Sequence, residues 1–403
     1  MRIVVLAGGS DQIALINELR GRGHYVILVD YFECPPAKPY ADEHIVASTL
    51  DVERVKEIAQ EKEADLVCTA CTDQALLTVA NVSEQLGLPC YISYKTALNV
   101  TNKSYMKHRM LESGIPTSRF VILDRSDDLA KIEDFKFPLV VKPVDCNSSK
   151  GVVRVADDQE LKLALEKAIG FSRTGTAVVE EFKEGVEVSA DFYVQDGKAI
   201  YLSATSSLKI RNRKSFTIMS SVYPVVDDAQ KLRITEIASQ IASAFGLNNC
   251  PLLIQMIVGK DDINVIEFSA RMGGGSKYYL IQVLSGVDIM SRYVDLILGG
   301  KPAVGPVEQV RFCRANYIYC NPGVMDRVEG LDRLKEEGLI REYFIYKSSG
   351  MKITAAETSG DRAAGYIVTA DSEEELLRRI SEADSSIKVL TPEGEDIMIH
   401  NLV

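Results

Sequence analysis

The chain has 403 residues, 46% hydrophobic and 26% charged, enough for two or three domains around a sizeable core. Its formal charge of −11, from 46 basic and 57 acidic residues, argues against a nucleic acid as the main partner. No apolar run reaches the roughly 18 residues a membrane span needs, and the opening MRIVVLAGGS reads as a buried first strand rather than a signal peptide.

Residues 1–98 alternate strand and helix signals. Strands are predicted at 3–6, 25–29, 45–47, 65–69 and 90–92, with helical patterns at 13–20, 52–61 and 74–86 between them. That alternation predicts an open parallel α/β sheet with helices on both faces. A helix over 103–113 stops at Gly114 before Ile115-Pro116. Residues from about 119 to 183 read as strand, strand, helix and strand, a segment small enough to be a mobile lobe. Longer strands at 188–194, 252–258 and 263–270 follow, so 99–302 reads as one two-lobed unit. After Lys301-Pro302, residues 303–403 read as an α+β extension packed on that unit, with a helix near 372–383.

Eight cysteines, among them Cys68, Cys90, Cys250 and Cys313 in apolar runs, read as reduced thiols of a cytoplasmic protein. The four histidines lack partners at helical spacing, so a histidine metal site is not expected. AGGS after the first strand, with Asp30 ending the second, admits two readings. One is a dinucleotide site with a pyrophosphate at the helix N-terminus; the other is a tight turn without GxGxxG.

Three further segments carry charge in an order that suits a nucleotide. In FPLVVKPVDCNSSKGVVRV a strand delivers Lys142 to a loop where Ser148, Ser149, Lys150 and Gly151 offer hydroxyls, amides and charge to phosphates. A solvated hairpin is the bland alternative. In AVVEEFKEGVEVSADF, Glu180, Glu181 and Glu187 surround a turn at Gly185. The backbone of Glu180, Glu181, Phe182 and Lys183 can meet an adenine edge, and Glu187 can accept ribose hydroxyls; an acidic surface turn competes.

In LLIQMIVGKDDINVIEFSAR, Glu267, Ser269 and Arg271 alternate and would share one strand face. A loop over 260–262 would set Gln255 opposite Glu267, with Cβ atoms about 5 Å apart, suited to sharing magnesium. Arg271 would then face the charge on a transferring phosphoryl group; a structural ion pair is the alternative. Gly273, Gly274 and Gly275 would let backbone approach a substrate or form only a flexible strand exit, and the basic run Lys209–Ile–Arg211–Asn–Arg213–Lys214 would clamp an anionic substrate or phosphates, with a solvated loop as the alternative. Arg311 and Arg314 are further candidates for holding a carboxylate, against a charged strand edge.

With these residues in place the chain resembles the ATP-grasp superfamily over nearly its whole length, most closely its carboxylate–amine ligases. Those are grouped with L-amino acid ligases, biotin carboxylase, carbamoyl-phosphate synthetase and the purine-pathway ligases. The resemblance implies that Lys103 in TNKSYMK and Lys142 in VVKP are the two ATP lysines, and that residues 180–183 are the adenine segment. It makes Glu187 the ribose ligand, Gln255, Glu267 and Ser269 the metal positions, and Arg271 and Lys142 the residues acting on the phosphoryl group. The implied cofactors are ATP with two Mg²⁺, for which Mn²⁺ substitutes. Partners are a small carboxylate and an amine, with no nucleic acid or membrane, in a chain whose relatives are often homodimers. The pattern departs at three places: glutamine at the first metal position, Ser269 where asparagine is usual, and one glycine in the phosphate loop. The implied chemistry is an acyl phosphate that an amine captures. Bicarbonate activation and a nucleotide sensor without turnover are the two rivals.

Overall fold

The computed structural model describes residues 1–125, 129–146, 150–210, 216–308, 310–354 and 356–402, so Ser148, Ser149, Arg211, Arg213 and Lys214 lie outside the described residues. Strands β1 (Arg2–Leu6), β2 (Tyr25–Asp30), β3 (Glu43–Val46) and β4 (Leu66–Cys68) form a parallel sheet in the order β3-β2-β1-β4. RIVVL and YVILVD are apolar almost throughout because both faces of this sheet are covered. The strand expected at 90–92 does not form. Pro89 has no N–H to give a ladder, and the Tyr91 hydroxyl donates to the Ala270 carbonyl at 2.9 Å, drawing this segment toward the second sheet.

The small lobe holds β5 (Phe120–Asp124), β6 (Leu139–Pro143), β7 (Val153–Val155) and β8 (Thr176–Glu181), antiparallel in the order β5-β8-β6-β7. Helix Asp158–Phe171 starts where the Asp157 carboxylate accepts the N–H groups of Gln159 and Glu160. It lays Leu161, Leu165 and Ala168 on Leu139, Val141 and Val179, so this lobe has a core of its own.

The large antiparallel sheet contains β9 (Val186–Gln195), β10 (Lys198–Lys209), β11 (Ile218–Tyr223), β12 (Cys250–Val258), β13 (Ile263–Ser269) and β14 (Phe312–Ile318). Its order is β13-β12-β9-β10-β11-β14, continued by Ala364–Ala370 and Glu342–Ile345. The C-terminal part therefore extends this sheet edge, under a second core that includes Leu331, Leu376 and Ile380. One core cluster joins Ile3, Leu15 and Leu28 of the parallel sheet to Phe192, Ile254 and Phe268 of the large one. That shared core makes the two sheets a rigid platform over which the separately packed small lobe sits.

Candidate functional site: a nucleotide cleft

The cleft lies between the small lobe and β9, β10, β12 and β13. Lys103, Lys142, Lys150, Lys183 and Lys209 line it against Glu180, Glu181, Glu187 and Glu267. Lysines outnumber glutamates here although the chain as a whole is acidic, which favours an anionic ligand.

Helix Lys103–Glu112 begins where Asn102 caps the N–H groups of Ser104 and Tyr105. Lys103 is thereby its first residue, a place where the helix dipole disfavours a cation; its neighbours compensate. Its ammonium donates to the Cys146 carbonyl at 2.6 Å and lies 3.1 Å from Glu267 Oε2, while its N–H bonds Val144 O at 2.9 Å. Burial pushes the Glu267 carboxyl up, but Lys103 and Lys142 outweigh it and hold the group below its ordinary range.

Lys142 reaches Glu180 Oε1 at 2.5 Å, and Lys107 Nζ reaches Glu180 Oε2 at 2.7 Å and donates to Thr117 Oγ1 at 2.6 Å. Glu180 thus sits buried between two ammoniums. Burial alone would raise its pKa, yet Lys107 and Lys142 hold it down at about 2. For Lys107 burial wins over the pull of Glu180, and its pKa falls to about 8. Lys107 and Thr117 escaped the sequence reading. The signal was present, since Lys107 follows Lys103 by one helical turn and shares its face.

At the hinge, the Glu181 N–H bonds Arg119 O at 3.0 Å and the Phe182 N–H bonds Pro138 O at 3.1 Å. Among the described residues the Lys183 N–H has no such partner and is left for a ligand edge. Glu187 Oε1 accepts from Lys209 Nζ at 2.7 Å, so Lys209 lies at the same end of the cleft as Glu187. Gly151, at φ +74°, packs where a Cβ would lie 2.8 Å from Phe171 and 2.9 Å from Pro143, so the chain needs glycine there.

Gln255 pairs directly with Glu267, as expected, but by a different route. The hairpin loop is Gly259 to Asp262, closed by the Gly259 N–H on Asp262 O at 2.8 Å. A bulge that leaves Ile266 unpaired restores the register. Magnesium takes few protein oxygens alongside phosphate oxygens. Gln255 and Glu267 supply that set, and among the described residues no group of three His, Cys, Asp or Glu side chains forms a cage.

Arg271 departs from the strand-face expectation, because β13 ends at Ser269 and the chain turns. Its Nε donates to Asp73 Oδ1 at 2.8 Å, its second fork nitrogen donates to Asp73 Oδ2, and its Nη1 donates to Met272 O at 2.6 Å. Burial opposes ionisation of Asp73, but Arg271 and the Ser269 hydroxyl outweigh it and lower its pKa. The buried Ser269 therefore contacts Asp73. Gly273 lies against the Lys277 stem, and Gly274 against Asp11 and the Cys71 carbonyl. Asp11 accepts the N–H groups of Gly275 at 3.1 Å and Ser276 at 2.8 Å. Neither Asp11 nor Asp73 was singled out from the sequence.

Two expectations are corrected. Arg314 faces away from the cleft: along β14 it is Tyr317 that reaches the Gly275 carbonyl, whereas Arg314 donates to Ser220 Oγ at 3.0 Å on the opposite face. The dinucleotide reading of AGGS also fails. Asp30 is consumed by the N–H groups of Gly8 at 2.7 Å and Phe32 at 2.8 Å, and Pro35 packs where a Cβ on Gly8 would be.

A cleft of this kind, with cationic walls, a free hinge N–H and a glutamine–glutamate pair on facing strands, defines a nucleotide-dependent phosphoryl-transfer protein. Residues 135–278 match the ATP-grasp domain and residues 316–391 match the L-amino acid ligase C-terminal domain 2. The phosphoribosylamine–glycine ligase of Thermococcus kodakarensis is 25% identical over 94% of this chain and 91% of its own length. The alanine–anticapsin ligase of Bacillus subtilis is 24% identical over 71% of this chain and 65% of that one. The fold is that of an L-amino acid ligase from Bacillus licheniformis, with a TM-score of 0.81 at 22% identity, covering 97% of this chain and 98% of the other. The chain carries an ATP-grasp domain and an L-amino acid ligase C-terminal domain, and it is an ATP-dependent ligase that forms carbon–nitrogen bonds.

Proposed function

We propose that this ligase activates a small carboxylate as an acyl phosphate and joins it to an amine, with amino acids as the substrate class. The carrying observation is the Gln255–Glu267 pair facing Lys103 and Lys142 across the cleft. Lys103 and Lys142 neutralise the ATP phosphates, Lys183 N–H meets the adenine edge and Glu187 takes the ribose hydroxyls, releasing Lys209. Gln255 and Glu267 would hold up to two Mg²⁺, or Mn²⁺ in their place, whose charge would offset that of the phosphates. A carboxylate oxygen takes the γ-phosphoryl group and ADP leaves. The amine nitrogen then bonds the acyl carbon, the carbon–oxygen bond to phosphate breaks, and the amine loses a proton.

No side-chain nucleophile is needed, consistent with polar groups that bind and neutralise rather than attack. The small lobe, with its own core, closes over the acyl phosphate and excludes water. Eight free thiols suit a reducing cytoplasm. ADP release from Mg-ATP with pooled amino acids and small carboxylates, with and without hydroxylamine, tests this reading. Carboxylate-dependent ADP with a hydroxamate product is expected. ADP release with bicarbonate alone and no hydroxamate would replace it with bicarbonate activation.

A further inference from the structure

Three lysines of the cleft each rest on a glutamate: Lys103 on Glu267 at 3.1 Å, Lys142 on Glu180 at 2.5 Å and Lys209 on Glu187 at 2.7 Å. A lysine so held meets a phosphate only by leaving its glutamate, and a buried carboxylate left without a counter-charge is costly. Two of the three glutamates have a replacement in view: Glu267 would gain a divalent ion and Glu187 the ribose hydroxyls. Glu180 has neither. It is also the most enclosed, with 7% of its side chain exposed against 30% for Glu267 and 18% for Glu187.

The fold supplies Glu180 with a second ammonium instead. Lys107 is 1% exposed and does not line the cleft, so it stands outside the reach of a ligand there. Its Nζ lies 2.7 Å from Glu180 Oε2 and donates to Thr117 Oγ1 at 2.6 Å. The Thr117 hydroxyl in turn donates to the Val265 carbonyl of β13 at 2.8 Å, which ties the ammonium to the large sheet rather than to the small lobe. Facing Lys107 are Glu180 and Lys142 from the small-lobe strands, Glu267 from β13, and the Phe120 ring of β5 at 5.9 Å. Lys103, one turn earlier on the same helix, is taken by Glu267.

We infer that Lys107 is the positioning residue that frees Lys142: it keeps Glu180 neutralised and in place while Lys142 exchanges that carboxylate for a phosphate of ATP. This rests on the reading that gives Lys142 to the phosphates, and it adds a role for a residue no ligand touches. The exchange also moves a proton. Burial, aided by Lys142, brings the Lys107 ammonium down to about 8 against the pull of Glu180. Once Lys142 turns to a phosphate, its repulsion falls away, the whole charge of Glu180 acts on Lys107, and the proton there is bound more tightly. Mg-ATP affinity is therefore complete below about pH 8 and declines as pH rises through it.

The test is calorimetry of Mg-ATP binding to the full chain, without carboxylate or amine, in two buffers of different protonation enthalpy. For the unmodified protein, Kd should rise about 3- to 10-fold between about pH 7 and about pH 9, with up to about one proton taken up per ATP at the higher pH. Lys107→Arg keeps its charge over this range, so its Kd should stay within about twofold and no proton should be taken up. Cys146 and the other cleft groups remain in that variant, so a flat profile assigns the step to residue 107. Lys107→Met should raise Kd about 10-fold at about pH 7 without a pH step, while kcat for ADP release with pooled carboxylates at saturating Mg-ATP stays within about threefold. A merely structural lysine would give neither the proton uptake nor the recovery with arginine. A pH-independent Kd in the unmodified protein overturns the inference without any variant. A step that survives in Lys107→Arg, or a Lys107→Met Kd equal to the unmodified one, overturns it too. Should Lys107→Met fail to fold, the unmodified protein and Lys107→Arg decide. If the unmodified protein binds no Mg-ATP at all, the nucleotide reading of the cleft falls, and this inference with it.

Discussion

Glu180 shows how a single carboxylate can hold a hinge. It is the last but one residue of β8, is buried, and bridges Lys142 of the small lobe to Lys107 of the helix outside it. Its folded pKa of about 2 lies below its ordinary 4.5, so it contributes stability above pH 4.5 that fades as pH falls toward 2. Lys107 titrates near 8 against an ordinary 10.5, so the unfolded chain holds the extra proton and stability rises with pH between about 8 and 10.5. Glu180→Gln leaves two buried ammoniums without their counter-charge and should cost about 3–5 kcal/mol. Urea unfolding at pH 7 checks the magnitude. The same titration at pH 3 should show a smaller gap between the two proteins, because there the native carboxylate has begun to lose its advantage. Equal midpoints at pH 7 would show that the triad contributes no stability.

At the scale of elements, the β12–β13 hairpin carries the proposed metal position, and its glutamine tests how much charge that position needs. Gln255→Glu places a second carboxylate opposite Glu267 and should lower the Mg²⁺ concentration for half-maximal ADP release by about 3- to 10-fold, since ligand charge tunes divalent affinity. An unchanged Mg²⁺ dependence would mean that residue 255 does not touch the metal. The same hairpin marks what could be read from sequence. Alternation and a short loop are local, so the Gln255–Glu267 pairing was legible. The bulge at Ile266 was not, since a one-residue slip carries no mark in an apolar run. The parallel sheet, small lobe and large sheet were legible from periodicity, whereas segment 90–92 was misread because a tertiary bond from Tyr91 overrode a strand-like run. Lys142 and Glu267 stood out as charges inside apolar strands and Glu187 as a carboxylate beyond the turn at Gly185, whereas Lys103 was marked only by the family resemblance. Asp11 and Asp73 did not stand out, because each sits at a helix N-terminus, where an acidic residue has a sufficient local reason.

Across the whole molecule, those two carboxylates join the parallel-sheet part to the loop that follows β13. Asp11 holds the backbone of Gly275 and Ser276, and Asp73 grips Arg271 across 198 residues of sequence. Arg271 does not itself line the nucleotide cleft, so the role proposed for its charge at a transferring phosphoryl group would depend on this second part of the chain. Asp73→Asn keeps the shape but removes the charge and one side of the bidentate grip. Binding of Mg-ATP, governed by Lys103, Lys142 and the hinge, should stay within about threefold, while kcat for hydroxamate formation should fall about 10²-fold, the usual effect of losing a placed charge on the transition state. The pH profile separates this from simple damage. Asp73 is held below its ordinary range, so the native clamp stays ionised from neutral pH down past 4 and contributes no titration step to kcat between pH 5 and 8. The variant should therefore lose rate uniformly over that window. A loss confined to the acid side would assign the effect to another group, and a raised Kd for Mg-ATP with kcat intact would place Asp73 in nucleotide binding instead.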